Sequence, residues 1–199
     1  MPEKLIWQFS KEYIAGKTTE QAFEASRELN RNNTLVTLDI LGEFIENMDQ
    51  AKDNRDQYID LINTMEATDV KGNYSIKPTM FGLLLDKQTC SDYMRDIVAT
   101  AAEYDNFVRI DMENSPTVDD TIEIFRRIKA EFPKNVGLVL QAYLKRTRSD
   151  IEAMLDLKSD DADLNFRLCK GIYVESPAIA YKKYEEINAH YLEDLEFMF

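Results

Sequence analysis

The chain has 199 residues, 44% of them hydrophobic, enough for one large domain or two small ones with a sizeable core. Its 37 acidic against 24 basic residues give a net charge of −13, which argues against a nucleic-acid surface, where phosphate neutralisation needs clustered Lys and Arg. One histidine (His190) and two distant cysteines (Cys90 and Cys169) exclude a His-rich zinc site, a Cys-x-x-Cys motif and a disulfide framework.

The residues up to Asn33 read as a helical arm. Ile14, Ala15 and Gly16 end one short helix. Thr18 or Thr19 opens another, through Ala22, Ala25 and Leu29, until Asn30-Arg31-Asn32-Asn33 breaks it. From residue 34 to 199 a strand–turn–helix unit repeats. The first strand is Leu35 to Ile40, and its helix carries Tyr58, Leu61, Ile62 and Met65 at helical spacing. Tyr74 to Lys77 is the second, followed by Cys90, Tyr93, Met94, Ile97, Val98 and Ala101. The third runs from Phe107 to Asp111, and Ser115-Pro116 reads as N-cap and first residue of a helix burying Val118, Ile122, Phe125 and Ile128. The fourth is Val136 to Gln141, with Ser149 and Glu152 as a capping box for its helix. The fifth is Asn165 to Lys170. Ser176-Pro177 repeats the cap signature before a stripe of Tyr184, Ile187, Tyr191 and Leu195.

Alternating strands and helices imply parallel strands with helical crossovers. An open doubly wound sheet calls for a Gly-rich phosphate loop after the first strand, where only Gly42 is near. A (β/α)8 TIM-type barrel gathers its functional groups at the C-terminal strand ends. Each strand here reaches a polar residue at that end: Asp39, Lys77, Asp111, Gln141 and Lys170. The expectation is an α/β barrel represented by about five units plus N-terminal helices. No apolar run approaches the ~20 residues of a membrane span, and the N-terminus does not read as a signal peptide. These features predict a cytoplasmic protein.

Lys77 at a strand end suits a carboxylate or a Schiff base, or is a solvated loop lysine. Alternation places Val108 and Ile110 toward the helices and Arg109 and Asp111 inward, where a charge is costly unless paired. Asp111 thus reads as functional, or as part of an Arg109 ion pair filling the interior. Gln141 offers both a donor and an acceptor to a heterocycle edge, or caps backbone groups. Arg167, Lys170, Tyr173 and Glu175 lie close together, with Gly171 permitting close backbone approach. Two cations there suit an anionic or electron-accepting ligand, or form internal ion pairs. Arg167 and Lys170 differ by three positions, so a straight strand aims them at opposite faces. The acid-rich segment Glu185 to Glu196, His190 included, reads as a solvated helix face, too charged to supply a Ser-His-Asp triad.

Four segments together resemble the proline dehydrogenase family in its short monofunctional bacterial form: Ser75-Ile-Lys-Pro-Thr-Met-Phe-Gly, Val108-Arg-Ile-Asp-Met-Glu, Leu140-Gln-Ala-Tyr and Arg167-Leu-Cys-Lys-Gly-Ile-Tyr-Val-Glu. They stand in the family order on successive strands. The resemblance implies a (β/α)8 barrel that binds FAD and oxidises L-proline to 1-pyrroline-5-carboxylate, with hydride passing from proline to the flavin N5. It implies that Lys77 contacts the proline carboxylate and that Asp111 lies beside it. Gln141 would hydrogen-bond the flavin edge, and Arg167 would sit near N5. Lys170, Gly171 and Ile172 would line the pyrimidine side, with Met112 packed nearby; Tyr143 and Tyr173 are weaker candidates. The family carries three further units, on the order of 100 residues beyond Phe199. It also implies a quinone acceptor at the inner membrane face and a pyrroline-5-carboxylate dehydrogenase partner. Three functional readings stand at this point. One is the flavin enzyme represented by its first five units. The others are an inactive or partner-binding remnant, and a Schiff-base barrel lyase using Lys77 or Lys170.

Overall fold

A computed structural model describes residues 14–42 and 45–199. Five strands form one parallel sheet in strict chain order: β1 (Val36–Leu38), β2 (Gly72–Ile76), β3 (Val108–Ile110), β4 (Val136–Gln141) and β5 (Phe166–Cys169). A doubly wound sheet reverses direction at a switch point, whereas an unreversed parallel order is that of a barrel wall. The helices among the described residues are α1 (Thr19–Arg31), α2 (Met48–Glu66), α3 (Lys87–Glu103), α4 (Val118–Glu131), α5 (Thr147–Met154) and α6 (Tyr184–Met198). The expected short helix before Gly16 lies largely outside the described residues.

Three helix starts are fixed by short side chains that accept a backbone N–H otherwise left without a partner. Thr18 accepts from Gln21, Asn47 from Gln50 and Asp86 from Thr89. Most of the predicted apolar stripes are buried: Tyr58, Leu61, Ile62 and Met65 on α2; Cys90, Met94, Ile97, Val98 and Ala101 on α3; Val118, Phe125 and Ile128 on α4. Tyr93, Ile122, Ile187, Tyr191 and Leu195 are only partly buried, and Tyr184 on α6 is exposed, because α6 lies at the edge of the sheet's cover. The buried stripes pack against strand residues of one parity, among them Tyr74, Ile76, Val108, Ile110, Val136, Leu138 and Leu168. The strand residues of opposite parity are thereby turned to the concave face, which is why that face can be polar.

The three serine cap signatures do not cap the α-helices. Ser115 begins a short 3-10 turn, Ser115–Thr117, and α4 starts only at Val118. Helix α5 starts at Thr147, two residues before Ser149, whose hydroxyl donates back to the Arg146 carbonyl. Ser176 accepts from Ala178 and Ala180 in a turn of its own, and α6 starts at Tyr184. Ser149 and Ser176 are taken by backbone partners within three residues, and Ser115 by Glu175, sixty positions on.

Candidate active site

Strand alternation and register assemble the site. Ser75, Arg109 and Gly137 share one row across β2, β3 and β4, and Val139 and Arg167 share the next across β4 and β5. Asp111 follows β3 on the same side, and its backbone N–H donates to Ile76. Lys77 follows β2 and is the residue before Pro78, whose ring disfavours a helical conformation there; its φ of −108° and ψ of 123° extend the strand by one step.

Four charged side chains from four segments meet here. Lys77 Nζ lies 2.8 Å from Asp39 Oδ2 and 3.3 Å from Asp111 Oδ2. Arg167 Nη2 lies 2.5 Å from Asp111 Oδ1, which also accepts from the Ser75 hydroxyl at 2.9 Å. The quartet has two positive and two negative charges, so it is neutral overall. The Lys77 and Asp111 side chains are 18% and 17% exposed, while Arg167 keeps 43% of its surface open. Lys77 is therefore enclosed yet reachable. Burial alone would lower its ammonium pKa, but the hydrogen bonds and charges of Asp39 and Asp111 raise it above its ordinary value.

Among the described residues Arg109 forms no ion pair with an acid. It reaches across β4 to Asn165, donating from Nη1 to the Asn165 carbonyl at 3.0 Å and from Nη2 to its side-chain oxygen at 2.7 Å. A Cβ on Gly137 would stand 2.5 Å from Arg109 Nη1, so the glycine is the passage for this side chain. Burial, and next the nearby Arg167, push the Arg109 pKa down.

Gln141 donates from Nε2 to the Met112 carbonyl at 2.8 Å. Its Oε1 is buried and has no hydrogen-bond partner among the described residues. A buried acceptor left open is costly unless a ligand donates to it, so Gln141 fits the N–H of a heterocycle edge such as that of a flavin. Met112 is buried beside it, while Ile172 is 86% exposed. Gly171 has φ of +109°, and a Cβ there would stand 2.2 Å from the Tyr143 ring. Both the left-handed backbone and the ring contact require glycine at this position.

The dense segment after β5 is not brought to one point. Lys170 turns to the helix side, with Nζ 3.0 Å from the Tyr184 hydroxyl and 4.5 Å from that ring's centroid. Glu175 accepts the Ser115 N–H at 2.6 Å and the Ser115 hydroxyl at 2.7 Å, tying the loop to the start of α4. His190 stacks on Tyr181 at 3.9 Å, with its Nδ1 3.3 Å from Glu193. Sequence places Asp39 among the polar strand ends without a specific role, and assigns no site role to Ser75 or Tyr58. Alternation could have placed Ser75 on the Lys77 face. The Tyr58 contact with Asp39 spans 19 positions and leaves no local signal.

Fold and site together define a βα-barrel protein, seen here as about half a barrel, with its ionisable groups gathered at the C-terminal strand ends. The proline dehydrogenase family profile matches residues 22–187, and the chain belongs to the proline dehydrogenase family. It is 34% identical over 182 residues to Proline dehydrogenase 1 of Bacillus subtilis (strain 168), covering 92% of this chain and 58% of that one. It is 34% identical over 190 residues to Proline dehydrogenase of Deinococcus radiodurans, covering 94% and 60%. The crystal structure of proline utilization A (PutA) from Bdellovibrio bacteriovorus inactivated by N-propargylglycine superposes with a TM-score of 0.87 at 23% identity. That match covers 98% of this chain and 25% of that one. The chain thus spans under two thirds of the length of the two proline dehydrogenases.

Proposed function

We propose that this chain supplies the substrate-binding and flavin-facing strands for FAD-dependent oxidation of L-proline to 1-pyrroline-5-carboxylate. The observation that carries this reading is Lys77, an ammonium fixed between two carboxylates at a strand end, with Arg167 on the same face. An ammonium has three N–H donors in a tetrahedral array. Asp39 and Asp111 take two, which leaves the third for the proline carboxylate. Asp111 in turn holds Arg167 in place, and the exposed part of that guanidinium is available to stabilise negative charge on an electron-accepting ring.

FAD, when bound, supplies the hydride acceptor for the carbon beside the proline nitrogen. Gln141 Oε1 would accept from its ring edge, Met112 would pack beside it, and Gly171 and Ile172 would line it. Lys170 joins this set only by leaving Tyr184. A raised Lys77 pKa favours carboxylate binding over Schiff-base chemistry, which needs a neutral amine. The reading further implies a quinone as electron acceptor and a 1-pyrroline-5-carboxylate dehydrogenase that consumes the product. Among the described residues no helix is long and apolar enough to cross a membrane.

The test is anaerobic titration of the FAD-loaded protein with L-proline. Bleaching of the flavin absorbance band is expected. Arg167→Ala slows that bleaching more than it weakens proline binding. Absorbance left unchanged by proline would overturn this reading, and borohydride trapping of a carbonyl substrate on Lys77 would put the lyase in its place.

A further inference from the structure

Asp39 is assigned no part in the resemblance, yet it makes the shorter of the two contacts to Lys77, 2.8 Å against 3.3 Å. It is itself held. The Tyr58 hydroxyl stands 3.0 Å from Asp39 Oδ1 and 2.8 Å from the Ser75 carbonyl, and it accepts the Ile40 N–H at 3.0 Å. Tyr58 is fully buried in the face of α2 that packs on the sheet, with its ring edge-on to Phe81. Its position is thus set by core packing and cannot adjust to the site. Burial, and then the Asp39 charge, keep the Tyr58 hydroxyl protonated well above its usual range, so it keeps its one hydrogen, shared between Asp39 Oδ1 and the Ser75 carbonyl.

We propose that Asp39, clamped by Tyr58, is a positioning residue that aims the Lys77 ammonium across the strand ends. The clamp runs from the helix layer to the concave face: Tyr58 fixes Asp39, Asp39 fixes one N–H of Lys77, and Asp111 fixes a second. A lysine side chain has four rotatable bonds and on its own would lose its direction. Tethered to two carboxylates on neighbouring strands, it presents its remaining N–H in one direction. The division of labour follows from the contacts. Asp111 is shared with Ser75 and Arg167, whereas among the described residues Lys77 is the one cation that Asp39 pairs with. The charged and titratable groups facing Lys77 are Asp39 after β1, Asp111 after β3 with its partner Arg167 on β5, and Tyr58 on α2 behind Asp39.

The use of this clamp for a substrate carboxylate rests on the proposed function, but the clamp can be tested without it. Folded full chain is reductively methylated across a pH series, and the Lys77 peptide is compared with the exposed Lys158 by mass spectrometry. Asp39→Asn is expected to move the Lys77 labelling midpoint down by about one pH unit or more, since it removes the nearer of two opposite charges. Tyr58→Phe, which preserves the shape of the core, moves it in the same direction by less and serves if Asp39→Asn fails to fold. An unchanged midpoint in the folded variants overturns the clamp. Protection of Lys77 by tetrahydrofuran-2-carboxylate, a proline-shaped acid with no amine to consume reagent, is read separately. A midpoint shift without such protection keeps the clamp and removes the proline reading.

Discussion

Replacing Gly137 by alanine sets two opposite effects against each other. Gly137 does not have a positive φ, so backbone entropy alone predicts that Ala stabilises the fold by about 0.4–1 kcal/mol through the unfolded chain. The surroundings predict the reverse. The new methyl would lie 2.5 Å from Arg109 Nη1, 2.5 Å from the Asn165 carbonyl oxygen and 2.6 Å from Phe107 Cζ. The carbonyl belongs to the backbone and also accepts Leu138 N–H, so it cannot retreat without opening the β4–β5 ladder. Arg109 can move only by giving up its two bonds to Asn165. Overpacking costs about 1–3 kcal/mol, and a charged hydrogen bond contributes about 1.5–3 kcal/mol. Losing even one of these two bonds while keeping the entropy gain leaves a net destabilisation of about 1.5–5.5 kcal/mol. Urea unfolding followed by circular dichroism, with an unchanged slope, reads this as a lower midpoint. A variant as stable as the parent, or more stable, would refute the passage assigned to Gly137.

Two further predictions concern pH and thiol chemistry. The Tyr143 hydroxyl is buried, and burial, then the Glu175 charge, push its pKa up to about 12. The unfolded phenol ionises near 10, so between pH 10 and about 12 the unfolded state releases a proton that the folded state keeps. Stability therefore falls as pH rises through that window, by up to about 1.4 kcal/mol per unit. Tyr143→Phe removes Tyr143's share of this slope, which parallel unfolding curves of parent and variant at pH 7 and 11 would measure. Cys90 is fully buried and its thiol is pushed up by burial, while Cys169 is half-buried on the concave side. Native protein should therefore show one fast-reacting thiol with an aromatic disulfide reagent, lost in Cys169→Ser; two equal rates would contradict this packing.

Much of the fold was legible because its signals are local and periodic. Helical spacing of Tyr58, Leu61, Ile62 and Met65 names a buried face, and alternation of Val108, Arg109, Ile110 and Asp111 names two sides of a strand. The same parity aims Lys170 of a straight strand away from Arg167, and it lies against Tyr184, whereas the resemblance implies that both line the flavin. The serine caps failed because such motifs record only what a hydroxyl could bind, while Glu175, sixty positions away, binds Ser115.

By itself the sequence determined the strand–helix alternation, the faces of each element and the polar strand ends, all of which depend on neighbours a few residues apart. Tertiary structure alone decided the partners. Arg109 goes to Asn165 rather than to an acid, because register sets Gly137 between them and leaves Asp111 one step beyond, beside Lys77 and Arg167. Tyr58 meets Asp39 because α2 packs on the sheet at that depth. Such pairings depend on register and packing angle, which bring distant residues within a few ångströms and which no local pattern encodes.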